Sequence, residues 1–279
     1  MNRKLIYFTL CSLLYFVSAP ASAEKSTNDT LATTPINLSL LTPIELFPLK
    51  PRRVVGVSLN VLYGHEEELW GLQAGMVNSA DSLQGFQVGV LNISDGGTGF
   101  QAGLFQWVDG DLIGVQLGLT NYVRNFSGLQ VSAGNIATDA NGIQVGAGSN
   151  SNENFSGLQV GLWNSNRKNF SGIQLGLMNE NQMETRSAGS IQVGNVEYSQ
   201  LQTTQYTGGS SDGIQIALVL NQALLTNGVQ LGLFNFSAQM NGLQIGVINY
   251  SKNLKGVQIG LLNFNTSGLY VSPGLNIGW

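Results

Sequence analysis

The chain offers few residues with which to do chemistry, and they do not cluster. Its single histidine stands beside three carboxylates in Gly64-His65-Glu66-Glu67-Glu68. Histidine and glutamate are metal-ligating types. One imidazole, with glutamates that alternate between the two faces of an extended segment, makes no coordination sphere. The segment reads as a solvated turn tip, and no metal is expected there. No nucleophile-base-acid grouping and no zinc spacing can be assembled from the remaining residues. The recurrent glycines flank strand centres and do not open helices, so they form no nucleotide fingerprint. The expectation is a protein with no catalytic residue and no cofactor.

The residue that does recur is glutamine. It falls at Gln73, Gln87, Gln101, Gln116, Gln130, Gln144, Gln159, Gln174, Gln192, Gln215, Gln230, Gln244 and Gln258, mostly 14 or 15 residues apart, with steps of 18 and 23 on either side of Gln192. The unit around them is glycine, apolar residue, Gln, apolar residue, usually glycine, two mostly apolar residues and often asparagine. Such regularity over 13 copies marks a repeat architecture. A neutral amide both donates and accepts hydrogen bonds. A ring of these side chains would line a pore passing small polar solutes, or would bond to itself and fill the interior.

The elements that position these glutamines are strands. Around Gln116, Ile113, Val115, Leu117 and Leu119 alternate with Gly114, Gln116, Gly118 and Thr120. A period of two with one apolar and one small or polar face is the strand pattern. Asn141-Gly142, Asn227-Gly228, Asn241-Gly242 and Asp109-Gly110 are residue pairs that accept the positive φ of tight hairpins. A turn every 14 residues leaves about 10 to 12 per strand, enough to cross a bilayer at a tilt. Counting one strand per unit, Pro35–Leu41 and Arg53–Tyr63 before them and Gly268–Trp279 after them gives 16.

This pattern predicts an all-β fold: an antiparallel meander closed into a transmembrane barrel of about 14–16 strands, with Leu and Val facing lipid and the glutamines lining the lumen. The alternative is a β-solenoid with 14–15-residue coils, its Leu and Val inside and its glutamines laddered outside. Phe126, Phe155, Phe170 and Trp163 fit the barrel poorly, since they lie at even offsets from their glutamines and so on the Gln face.

The amino terminus reads as a secretory signal. Arg3 and Lys4 precede an apolar run from Leu5 to Val17, and Ala21-Ser22-Ala23 gives a small-residue cleavage site. The expected organisation is a signal peptide over residues 1–23 and one β-repeat domain over 24–279. Cleavage removes Cys11, the only cysteine, and leaves ten basic against 16 acidic residues, a balance of −6. That balance argues against nucleic acid as a partner. Only 10% of the chain is charged, where a quarter is usual, so much of the surface is expected not to face water. Asn125-Phe126-Ser127, Asn154-Phe155-Ser156 and Asn169-Phe170-Ser171 fit the glycosylation sequon but are explained by turn chemistry. The Ser, Thr, Gln and Gly-rich segment Ser199–Asp212 reads as the longest loop.

Two resemblances add to this reading. The end of the chain, Ser272-Pro273-Gly274-Leu275-Asn276-Ile277-Gly278-Trp279, resembles the C-terminal β-signal of outer-membrane barrels in its polar Ser272, Gly274, Ile277 third from the end and terminal Trp279. Pro273 departs from that pattern. The resemblance implies outer-membrane lipid and the barrel assembly machinery as partners. The repeats from about Gly56 to Trp279 resemble those of bacterial surface repeat-containing proteins, built on GLQ(I/L)GLxN units after a signal peptide. That resemblance implies a location in the outer membrane or at the cell surface and no particular chemistry. The function expected is a passive channel or surface-exposed structural protein. Its alternative is a secreted or surface solenoid that binds a partner through a Gln-rich face.

Overall fold

The computed structural model describes residues 32–41, 44–45, 52–181 and 210–279, and between 182 and 209 only the backbone of four short strands. The proposed signal peptide lies outside the described residues. The strands are β1 (Ala32–Leu41), β2 (Ile44–Glu45), β3 (Arg52–Ser94), β4 (Gly97–Ala102), β5 (Phe105–Leu117), β6 (Thr120–Asn166) and β7 (Phe170–Asn181). There follow β8 (Glu184–Ser187), β9 (Ile191–Val193), β10 (Val196–Tyr198), β11 (Thr204–Thr207), β12 (Ser210–Leu231), β13 (Phe234–Ile245), β14 (Ile248–Asn265) and β15 (Val271–Gly278).

The barrel expectation is overturned. Successive units pair parallel and in register, so that Gly228, Val229 and Gln230 lie beside Gly242, Leu243 and Gln244, which lie beside Gly256, Val257 and Gln258. The same holds for β5 against β6, β6 against β7 and β7 against β12. A meander barrel requires antiparallel neighbours. Here each unit is one turn of a parallel β-solenoid. The 43-residue β3 and the 47-residue β6 are therefore not straight strands but several consecutive turns of extended chain.

The Asn-Gly pairs misled because they are not hairpins. A type I′ turn needs positive φ at both central residues, and no described non-glycine residue has one. Gly142, Gly228 and Gly242 do, at 127°, 143° and 139°. They belong to a column of glycines two residues before each Gln, stacked turn upon turn. A Cβ on Gly242 would lie 2.1 Å from the Gly228 carbonyl oxygen. The glycine is there for close backbone approach, which only a residue without a side chain permits.

Each turn has two extended limbs and two corners. The first limb carries the Gln. The chain then bends at the second and third residues after it, as at Gly103-Leu104, Gly118-Leu119, Gly232-Leu233 and Gly246-Val247. The second limb carries the Asn, five residues after the Gln in most turns. The bend resets the alternation of sides, which explains the aromatics. Phe126, Phe155 and Phe170 point inward with the glutamines, and the last two stack with ring planes 5° apart. Trp163 lies beyond the bend and points out.

The inside and outside are also the reverse of those expected for a solenoid. The described repeat glutamines are inside and fully buried, while the Leu, Ile and Val next to them are mostly outside. The buried apolar side chains stand elsewhere in the turn, chiefly four residues before the Gln, as Leu69, Leu83, Leu112, Phe126, Phe155, Phe170, Met240 and Leu254 do. Geometry supplies the reason. Glycines on both sides of the Gln bring neighbouring turns and limbs close at that level, and the bulkier apolar side chains are housed four residues earlier. Planar amides in register stack at the spacing of β-strands and bond along the stack.

The stack is interrupted once. It leaves at Asn181 and returns at Ser210, and β7 pairs directly with β12 across the gap. Within the excursion β8 pairs antiparallel with β11, and β9 with β10. Gln192 lies in β9, opposite Glu197, and so belongs to a hairpin and not to the stack. At the far end β15 runs antiparallel to β14 and closes the last turn. The pairing slips between Gly260 and Asn263, and Pro273 falls in that slip, where it withholds no ladder donor.

Candidate interaction surface

Two amide columns run through the interior, beside the buried apolar column of Leu69, Leu83, Leu112, Phe126, Phe155, Phe170, Met240 and Leu254. Gln87 Nε2 donates to Gln73 Oε1 at 2.9 Å, Gln101 to Gln87 at 2.7 Å and Gln116 to Gln101 at 2.8 Å. The chain continues through Gln130, Gln144, Gln159, Gln174, Gln215, Gln230, Gln244 and Gln258. Every bond between two of these glutamines is donated toward the amino terminus. The first, Gln73, donates to the Gly64 carbonyl, and the last, Gln258, leaves its Oε1 without a partner.

The asparagines run the other way. Asn221 donates to Asn235, Asn235 to Asn249 and Asn249 to Asn263, each at 2.8 Å. Most also donate to a main-chain carbonyl of the next turn, as Asn249 does to Ile259. The glycine or other small residue two after each Gln makes room for them: a Cβ at Gly260 would sit 2.6 Å from Asn249 Nδ2. Buried amides cost free energy unless paired, and these are paired almost throughout. With no barrel there is no lumen for the glutamines to line, and with their side chains buried they offer no outer binding face.

The His65 segment behaves as a set of separate contacts. His65 Nδ1 is 3.1 Å from Ser79 Oγ, and its Nε2 is 3.7 Å from Asp81. Glu66 turns inward to accept from Asn37 and Ser58, while Glu68 turns outward to Arg53. Among the described residues, no group of three or more His, Cys, Asp or Glu is placed to hold a metal.

The ionic groups collect along one corner, where the second limb of one turn passes to the first limb of the next. Arg53–Glu68, Arg124–Asp109 and Lys168–Glu153 each pair at 2.6 Å across one turn. Exposed pairs of this kind contribute at most about 1 kcal/mol each. Asp111, Asp139 and Asp212 accept from Asn125, Asn154 and Asn227 of the following turns. Two of the three sequon asparagines, Asn125 and Asn154, are thus amide rungs, and the third, Asn169, donates to Asn154. A groove of about 640 Å³ follows this row, flanked by Asp139, Asn154 and Asn169. The long excursion leaves and re-enters at the same corner.

Asp81, Asp95 and Asp109 occupy equivalent places in three consecutive turns. Burial, and then the charges of Asp81 and Asp109, raise the Asp95 carboxyl above its ordinary value, against a smaller opposing effect of His65.

The opposite corner is apolar. From the residue before each laddered Gln to the fourth after it, leaving out the buried Gln itself, the twelve stacked turns hold 60 positions, and none is Asp, Glu, Lys, Arg or His. At the chain's 10% charge, about six would be expected. The apex of that corner is the third residue after each Gln. Leu104, Leu162, Leu218 and Leu261 are 51%, 54%, 66% and 71% exposed there, although each has a turn beside it. Val88, Ile173, Ile216 and Ile259 widen the strip on either side. Trp107 stacks on Tyr122 at 4.1 Å, and Phe236 lies 6.2 Å from Tyr250. These rings sit two residues before Asp109, Arg124, Ala238 and Lys252, on the border between the apolar limb and the ionic corner.

Of the terminal residues, Ser272 is buried, Gly274 has a φ of 80°, Ile277 is exposed and Trp279 is 97% exposed. The first three belong to the cap strand, and Trp279 follows its last residue. The sequence reading missed the Asn column and the apolar corner. The first was visible as the Asn that closes most units, and the second as a window without charge. Comparison with family models, curated proteins and solved structures gave no match to this chain.

Proposed function

We propose that the chain is an exported, non-catalytic scaffold of the bacterial cell envelope that acts through the outside of its apolar corner. The observation that carries this reading is the inverted distribution of polarity: amides sealed inside, a continuous uncharged strip outside. Monomeric soluble proteins rarely expose apolar patches beyond a few hundred Å², and larger ones mark interaction surfaces. The signal-like amino terminus supports export. The resemblance of the repeats to bacterial surface repeats supports the envelope. The chain's repeating surface, with its reactive types dispersed, supports a binding role over a catalytic one.

Fractionation of a Gram-negative host expressing the full chain tests this reading. The expected product begins near Glu24 and sediments with the envelope. An uncleaved chain that stays in the cytoplasmic fraction contradicts it.

A further inference from the structure

The geometry points to a lipid surface as the partner of the apolar corner, with the leucine apex inserted among acyl chains and the ionic corner left in water. This deepens the proposed scaffold role and rests on it.

Shape is the first reason. The apex is a convex edge where each turn passes from its first limb to its second, with marked bends at Gly103-Leu104, Gly118-Leu119, Gly232-Leu233 and Gly246-Val247. At about 4.8 Å per turn, twelve turns make an edge on the order of 50 Å long. Two convex edges of this kind meet along a line and bury little of each other. A fluid layer closes over a convex edge and covers both flanks. The strip also repeats itself turn after turn and gives a partner of fixed shape no unique register.

Charge is the second reason. All 60 positions of the strip are uncharged, while the ion pairs Arg53–Glu68, Arg124–Asp109 and Lys168–Glu153, and both ends of the long excursion, lie at the other corner. The molecule is thus amphipathic across its section along its whole length. The rings of Trp107, Tyr122, Phe236 and Tyr250 stand at the border. Trp107, Tyr122 and Tyr250 join an apolar ring to a polar tip, which favours the boundary between hydrocarbon and water.

The interior supplies the third reason. Entry of a chain into hydrocarbon is costly when polar groups lose water without finding a partner. In this stack the main chain is paired between turns, and the glutamines and asparagines are bonded to one another. Covering the apolar corner with lipid therefore withdraws little that water was satisfying.

The test uses the chain from Glu24 onward with phosphatidylcholine vesicles in a flotation assay. The variant carries Leu104→Glu, Leu162→Glu, Leu218→Glu and Leu261→Glu, and a control carries Lys168→Gln and Asp139→Asn on the ionic corner. The native chain and the control are expected to float with the vesicles equally in low and high salt, because the contact is apolar. The fourfold variant should lose on the order of a hundredfold or more in partitioning, given the transfer free energy of four leucines. Its far-ultraviolet circular dichroism should match that of the native chain. Quenching of Trp107 and Trp163 by brominated lipid supplies a readout independent of those substitutions. A native chain that does not float, or a folded variant that floats as well as the native chain, overturns the lipid assignment. If the native chain instead forms a dimer that the leucine substitutions dissociate, lipid is wrong while the apolar corner remains the binding surface.

Discussion

Gln106 stands directly beside Asn121 in the parallel register of β5 and β6, yet no hydrogen bond joins their side chains. Asn92 occupies the same column one turn earlier. Gln106 is thus a glutamine in the asparagine column. One methylene too long, it reaches past the column and donates to the Leu117 carbonyl. Its own Oε1 and Asn121 Oδ1 are left buried without donors. Gln106→Asn should restore the run from Asn92 through residue 106 to Asn121. Satisfying two buried acceptors at once should stabilise the fold by about 1–3 kcal/mol. Urea unfolding measures it, and an unchanged or lower midpoint would show that the column does not propagate through this turn.

The glutamine column makes a graded prediction. Gln230 accepts from Gln244 and donates to Gln215, both at 2.8 Å. Gln230→Leu strands the Gln215 oxygen and removes the main bond of the Gln244 amide, so it should cost about 2–4 kcal/mol. Gln258 is the end of the column, and its Oε1 already lacks a partner. Gln258→Leu strands only the Gln244 oxygen and should cost about half as much. Equal losses at the two positions would mean that packing volume, not bonding along the column, sets the stability.

Much of this fold was legible in the sequence, but not its handedness of inside and outside. The period of two around Gln116 and the spacing from Gln73 to Gln174 identify strands and turns of the right length. They do not say whether the next unit returns antiparallel beside the last or parallel above it. The decisive residues were the glycines. Gly142 and Gly228 read equally as hairpin turns or as stacked close contacts, and only the extended φ of Asn141 and Asn227 distinguishes the two. The polarity was misread for a similar reason: alternation divides residues into two faces without saying which face is solvated. Phe126, Phe155 and Phe170 held the clue, since bulky rings on the Gln side need a covered interior. Gln192 was counted as a repeat, although Ser190 stands where the laddered units have glycine.

The column of Asp81, Asp95 and Asp109 predicts a pH dependence. Burial first, and then its acidic neighbours, hold the Asp95 carboxyl above the ordinary 3.8. A carboxyl whose folded value is raised favours the folded state when protonated. Its contribution is fully present below the unfolded value and is lost as pH rises through the raised folded value. Asp95→Asn should therefore raise the melting temperature at pH 7. The gain should shrink as the pH is lowered and vanish below 3.8, where the carboxyl becomes neutral in both states. The site is mostly exposed, so the gain should be below about 1 kcal/mol. A gain that persists undiminished at pH 3 would point to a cause other than charge.

The close approach of turns can be tested with two alanines in the same part of the stack. Gly157 has a φ of 129°, and a Cβ there would lie 2.0 Å from the Gly142 carbonyl oxygen. That oxygen belongs to the backbone of the turn beneath and cannot move alone. Gly157→Ala must therefore either open the stack or force a conformation that alanine avoids, at about 3 kcal/mol or more. Gly134 has no positive φ, and a Cβ there would find its nearest neighbours at 3.9 Å. Gly134→Ala has room and should stabilise by about 0.4–1 kcal/mol through the unfolded chain. Opposite signs in paired urea titrations are the expected result. A tolerated alanine at 157 would mean that the turns stand farther apart than the glycine column allows, and the packed amide interior would lose its geometric basis.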